Sequence, residues 1–300
     1  MTLFYSDVFV LPLPAHHRFP MGKYARIRDR LLASGEFGVG DFRVPEAAND
    51  AEITRAHCPG YLARVVAGQL TPREQRDIGF PWSERMVERS RRSTGATLAA
   101  AREALTRGWS ANLAGGTHHA FRDRGEGFCV FNDAAIAARA LQSEAGLARV
   151  AIVDCDVHQG NGSASIFAGD DSVFTFSIHG ARNFPFAKEA SDLDIELADG
   201  TGDDEYLWHL ERGLDETLER SRPQLAFYLA GADPYEDDRL GRLKLTKPGL
   251  ARRDALVLGT LAARGIPVAI AMAGGYARDI EDSIEIHANT ILTARKMGER

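Results

Sequence analysis

Arg149 to Gly162 reads RVAIVDCDVHQGNG, and its two halves have opposite chemistry. Val150, Ile152 and Val153 form a short β-branched run, long enough for a buried strand and too short for a helix. Asp154, Asp156 and His158 follow at alternate positions, and alternate residues of an extended backbone face the same way. In an open parallel α/β sheet, ligands sit outside the carboxyl ends of the strands, which is where this D-x-D-x-H cluster falls. Two carboxylates and an imidazole suit zinc or a neighbouring divalent metal. A strand-end loop that uses Asp only for its turn is the plainer alternative, and the rest of the chain argues against it.

The 300 residues are 44% hydrophobic, enough for one large α/β domain or two smaller ones. The opening MTLFYSDVFV has neither a basic n-region nor a long apolar h-region, so nothing suggests export. No apolar run approaches the ~20 residues that a membrane span needs. Cys58, Cys129 and Cys155 lack C-x-x-C spacing, which argues for a reduced compartment, and the expected location is cytoplasmic. A net charge of −6 gives no basic footprint for nucleic acid. It favours a basic peptide partner only mildly, since many inert cytosolic proteins are as acidic.

Along the chain, residues 3 to 10 read as a first strand, followed by a Pro-rich loop with His16 and His17. Tyr24, Ile27 and Leu31 recur at helical spacing before Gly35. Residues 36 to 94 are the least legible third, with a short helix from Tyr61 and a charge run, Arg73 to Arg92, that reads as a solvated helix face. From Thr97 an Ala-rich helix runs to Gly108, and residues 110–114 lead into Gly115-Gly116-Thr117-His118-His119. Further helices are expected at 132–141, from Asp203 to Pro223, from Pro248 to Gly265 and at the C-terminus. Strands are expected at 172–178, 224–230 and 267–273. The alternation, without repeats or a linker, predicts one domain over residues 1–300: a doubly wound open parallel α/β sheet with helices on both faces. Four strand exits then carry loaded tips that converge on one edge: His118-His119, Asp154/Asp156/His158, Asp233 and Tyr276.

GGTHHA (115–120), GFCVFND (127–133), DCDVHQGNG (154–162), AGADPYEDDRLG (230–241) and GGYARD (274–279) occur in this order. Together they resemble the histone deacetylase family of the arginase/deacetylase fold over roughly residues 110–290. GTGDDEYL (200–207) and HRFPMGKY (17–24) look most like its class IV branch and bacterial relatives. The resemblance implies Asp156, His158 and Asp233 as zinc ligands, leaving a position open as catalytic zinc sites do. It implies His119 as the proton shuttle and His118 as mainly electrostatic, oriented by Asp154. Tyr276 matches the phenol that binds the scissile carbonyl and then the oxyanion, and the glycines before it leave the backbone mobile enough to swing it inward. Gly127 and Phe128 match one wall of the acyl-lysine tunnel, with Phe184 or Phe186 opposite. Asp154, Ser177 and the carbonyls of Asp156, His158 and Ile178 match an inner potassium site.

The chain departs from the pattern at Asn161, where many relatives place an Asp behind the second histidine. An amide stabilises imidazolium less than a carboxylate does, so His119 is expected to have the lower pKa. No rim acid for the substrate backbone is legible between residues 71 and 92. Thr117 stands where relatives carry a bulky apolar residue, and with Gly115 and Gly116 it is expected to open space beyond the zinc for long fatty acyl chains. The resemblance thus implies a zinc hydrolase acting on acylated protein lysines. An acetylpolyamine amidohydrolase is the nearest rival. A two-metal ureohydrolase would need more Asp ligands, and a silent acyl-lysine binder would need no general base.

Overall fold

The computed structural model describes residues 2–14 and 16–298; Met1, Ala15, Glu299 and Arg300, which the domain and loop expectations span, lie outside the described residues. Among the described residues, eight strands form one parallel sheet: β1 (Leu3–Phe4), β2 (Phe42–Arg43), β3 (Trp109–Asn112), β4 (Val150–Asp154), β5 (Val173–Gly180), β6 (Leu193–Leu197), β7 (Leu225–Leu229) and β8 (Val268–Ala271). Their order across the sheet is β2-β1-β3-β8-β7-β4-β5-β6. The four strands expected to carry the loaded tips, β3, β8, β7 and β4, are therefore consecutive neighbours, and their exits share one edge.

Among the described residues, ten α-helices and a 3-10 turn (Val39–Asp41) accompany the strands: α1 (Lys23–Ala33), α2 (Asp50–Ile53), α3 (Pro59–Val66), α4 (Pro72–Ile78), α5 (Glu84–Arg107), α6 (Asp133–Ala145), α7 (Asn161–Phe167), α8 (Asp203–Ser221), α9 (Lys247–Ala263) and α10 (Ile280–Met297). α1, α10, α9 and α8 pack in that sequence over one face of the sheet, while α5 and α6 cover the other. Each face has its own apolar core: Ile27, Leu210, Leu258 and Ile291 belong to the first, and Leu98, Ile136, Ile152 and Phe227 to the second. Strands sealed on both faces read as continuous apolar runs, which is why β4, β7 and β8 were legible.

The structure corrects several boundaries. The first strand is two residues long, not eight, because Asp7 and the prolines beyond it turn the chain away. The Ala-rich helix from Thr97 is the second half of α5, which starts at Glu84 behind a Ser83 cap whose hydroxyl accepts from the Met86 amide. The charge run at 84–92 is thus not wholly solvated: Met86, Val87 and Arg89 are buried. β6 and α7 were missed, β6 because its Asp and Glu mask an edge strand.

Gly95 sets how closely α5 approaches the segment before α2. A Cβ there would stand 1.9 Å from the Glu46 carbonyl oxygen. Gly95→Ala should therefore lose about 1–3 kcal/mol of stability to overpacking, outweighing the roughly 1 kcal/mol by which Ala favours a helix. Denaturant unfolding reads the balance, and an unchanged or raised midpoint would contradict the close approach.

Candidate active site

β4 ends at Asp154, and the chain beyond it brings Asp156 and His158 to the sheet edge, while the exit of β7 brings Asp233. His158 Nδ1 lies 2.9 Å from Asp156 Oδ1 and 3.3 Å from Asp233 Oδ2, and all three side chains are buried. Ligands about 2.0–2.1 Å from a tetrahedral zinc stand about 3.3 Å apart, so these spacings fit a zinc ion. Asp233 Oδ2 is buried and receives no hydrogen bond, as a ligand atom reserved for a cation would be. Burial and the neighbouring Asp156 charge raise the Asp233 carboxyl, because two buried carboxylates resist joint ionisation. The spare oxygens are spent on the backbone: Val157 N–H donates to Asp233 Oδ1 at 3.0 Å, and Gly274 N–H to Asp156 Oδ2 at 2.7 Å.

His118 and His119 follow the exit of β3, with ring centroids 4.1 Å apart, and differ in their partners. His118 Nδ1 meets Asp154 Oδ2 at 2.6 Å. Burial pulls its pKa down, but Asp154 and Asp156 outweigh burial and lift it to about 9. His119 Nδ1 meets Asn161 Oδ1 at 2.7 Å. Asn161 Nδ2 faces a carboxylate oxygen of Glu126 at 3.4 Å, which can only accept, so the amide presents its carbonyl to His119. His119 then carries its proton on Nδ1 and keeps Nε2 free to accept another. Burial first, and the charges of His118 and His158 next, hold its pKa well below the ordinary imidazole value.

Tyr276 follows the exit of β8, buried beside Phe128 at 6.0 Å between ring centroids. The paired glycines before it have a different cause from the expected mobility. A Cβ at Gly274 would stand 1.8 Å from Asp233 Oδ2, and one at Gly275 2.9 Å from His287 Nε2. Both are packed positions. Asp238 Oδ2 accepts the Tyr276 N–H at 2.6 Å, and Arg239 Nε donates to the Tyr276 carbonyl at 3.0 Å, so the backbone of this residue is pinned.

One cavity of about 450 Å³ joins these groups. Gly127 and Phe128 stand in its wall in left-handed conformations (φ 53° and 67°), held by hydrogen bonds to the carbonyls of Asp77 and Ile78 at the end of α4. Of the two candidates for the opposite wall, Phe184 sets its ring edge against His119 at 4.9 Å, whereas Phe186 is 86% exposed at the rim. Thr117 also lines the cavity, but its hydroxyl is committed to Asp133 at 2.8 Å and the Phe131 carbonyl at 2.5 Å. The side chains implied for potassium give no independent sign of it. Asp154 accepts from His118 and from the Asp156 amide, and the Ser177 hydroxyl is bound to His179 Nδ1 at 2.9 Å.

Sequence reasoning missed four positions. Asp133 accepts from the amides of Gly116 and Thr117 and from Thr97, fixing the loop that carries the histidines. Arg253, fully buried, donates to the Gly231 carbonyl and pairs with Asp254, holding the exits of β4 and β7 together. Lys23 reaches the Gly275 carbonyl at 3.3 Å beneath Tyr276. Asp77, inside the supposed solvated run, stands at the cavity rim. An Asp two residues after Phe131, at a helix start, was the one available signal for Asp133.

With this geometry established, the comparisons with known proteins define the class. The histone deacetylase domain family matches residues 17–291, and the chain belongs to that family, a family of deacetylase and amidohydrolase enzymes. The chain is similar to an uncharacterised protein of Picosynechococcus (45% identity, covering 95% of each) and to histone deacetylase 2 of Arabidopsis thaliana (30% identity, 95% of this chain and 78% of that one). The fold matches the crystal structure of an HDAC homologue from Aquifex aeolicus with a TM-score of 0.81 at 23% identity, covering 100% of this chain and 84% of that one.

Two outcomes follow from the site's charges. Asp233→Ala and Asp156→Ala should each abolish stoichiometric zinc uptake in metal-content analysis, since two remaining ligands do not hold a zinc site; retention of one zinc per chain would remove that residue from the ligand set. Asn161→Asp should raise the pKa of His119, because a carboxylate favours the imidazolium that an amide does not. Histidine ring titration by NMR on the zinc-loaded protein checks this, and an unmoved His119 would disconnect Asn161 from it.

Proposed function

We propose that the protein is a zinc-dependent lysine deacylase, hydrolysing the amide of an acylated lysine side chain. The observation that carries this reading is the orphaned Asp233 oxygen, set with Asp156 and His158 in a cavity whose walls also hold a proton-accepting His119 and a buried phenol. Zinc, when bound by Asp156, His158 and Asp233, supplies Lewis acidity toward the acyl carbonyl and toward water.

The chain's own residues do the rest. His119 Nε2 takes a proton from the attacking water and returns it to the departing lysine nitrogen, which its low pKa and fixed tautomer allow. His118, held cationic by Asp154, places positive charge beside the developing negative charge. The Tyr276 phenol donates to the carbonyl oxygen as it becomes an oxyanion, and burial, which raises its pKa, keeps it in the donating form. Phe128 and Phe184 enclose the apolar lysine stem, excluding water from the reacting amide. Leu11, Met86 and Ser93 line the same cavity of about 450 Å³ as the ligands, and that volume would admit acyl groups longer than acetyl.

The decisive assay uses zinc-reconstituted protein and lysine peptides with acyl groups from acetyl to myristoyl, alongside acetylated polyamines. Hydrolysis of acyl-lysine peptides, lost on chelation and restored by zinc, is the expected result. Turnover confined to polyamines would transfer the site to a small-amine amidohydrolase. In the same assay Tyr276→Phe should keep zinc and fold but lower kcat by roughly 10²–10³, the usual cost of one oxyanion donor. A loss under about threefold would make Tyr276 a packing residue.

A further inference from the structure

The cavity that holds the metal ligands also reaches Arg89 on α5 and Tyr24 on α1. Arg89 is only 7% exposed. Its guanidinium donates over a long 3.4 Å to the Ser6 carbonyl and is also held by the Tyr24 side chain, whose ring centre lies 4.8 Å away. No carboxylate of the described residues lies in ion-pair contact with it; Asp7, on the same loop as Ser6, feels its charge from a distance but is in contact with Arg28 at 2.8 Å. A guanidinium carries five donors, and burying one without an anion is costly.

The contrast with Arg253 is instructive. That arginine, also buried, is fully partnered by Asp254 and by two backbone carbonyls. Where this fold uses an arginine as a strut, it supplies the acid. At Arg89 it supplies a cavity instead, lined nearby by Leu11 and Met86, whose apolar surfaces suit a few methylenes.

We propose that Arg89 is a carboxylate-recognition residue in the acyl pocket, and that the preferred acyl groups are short chains ending in a carboxylate, of the succinyl and glutaryl class. This rests on the deacylase reading above and names its substrate class. The reaction is unchanged in kind: water adds across the amide, the C–N bond breaks, oxygen goes to the acyl carbon and a proton to the lysine nitrogen, giving a dicarboxylate and a free amine.

The test uses the zinc-loaded full chain and matched peptides: succinyl against butanoyl, and glutaryl against pentanoyl, on the same lysine. At least one acidic peptide should exceed its neutral partner in kcat/KM by about tenfold or more, chiefly through KM, as expected of a charge-assisted fork. Arg89→Gln should collapse that ratio by about the same factor, and Arg89→Lys should restore part of it. If Arg89→Gln does not fold, Arg89→Lys reads the loss alone. Acidic peptides no better than neutral ones, or a variant that lowers both equally, would overturn the proposal and leave Arg89 a structural residue. A changed inhibition by acetate with an unmoved ratio would also overturn it, assigning Arg89 to the departing product. Calorimetric binding of free glutarate against pentanoate, in parent and Arg89→Gln, reads the subsite without turnover. Failure of every acyl-lysine peptide would sink the deacylase reading, while the calorimetric ratio would still decide for or against the Arg89 subsite.

Discussion

Two carboxylates buried side by side cannot both stay ionised without a cation between them, and the edge of the sheet is built around that constraint. Asp156 and Asp233 come from the exits of adjacent strands, β4 and β7, so the sheet itself forces their approach. Backbone amides of Val157, His158 and Gly274 satisfy one part of their charge. The part left over, centred on Asp233 Oδ2 and facing His158 Nδ1, calls for a positive ion. Arg253 completes the frame from behind, tying the carbonyls of Gly231 and Cys155 so that the two exits cannot spread.

The tandem histidines show how one local geometry yields two electrostatic characters. Both rings are buried and both present Nδ1 to a side-chain oxygen. Asp154 supplies a charge and so keeps His118 protonated, whereas Asn161 supplies only a dipole and leaves His119 neutral. Each cation also discourages its neighbour, so the positive His118 helps hold His119 down. The division of labour proposed for them is therefore set by one carboxyl and one amide on the same strand-to-helix segment, Asp154 and Asn161.

Much of this was legible because buried parallel strands advertise themselves as apolar runs, and because their polar tips sit where the runs stop. Strands β4, β7 and β8 and the tips of four exits were placed correctly on that basis. The failures have the opposite cause. The first half of α5 carries Arg85, Arg89, Arg91 and Arg92 and looks solvated, yet it packs on the sheet and lines the cavity, so one arginine of the four is buried. In β6, alternating Leu, Asp, Ile and Glu on an edge strand lacks the continuous run that marks the centre. Arg253 and Lys23 were invisible because a helical cation facing inward has the same sequence signature as one facing water.

The glycines were legible as motif letters but not in their purpose. A Cβ at Gly160 would fall 2.5 Å from Asp154 Oδ2, one at Gly231 2.7 Å from Asp233 Oδ1, and one at Gly274 1.8 Å from Asp233 Oδ2. These residues are absent side chains, removed so that backbone can close around charged oxygens. They make the site dense rather than supple, and the pinned amide and carbonyl of Tyr276 agree with that. Density of this kind favours catalysis by fixed dipoles, since donors already in place need no reorganisation as charge develops. What freedom the phenol has must then come from its own side-chain torsions against Phe19 and Phe128, the two rings that flank it, and not from the Gly-Gly backbone.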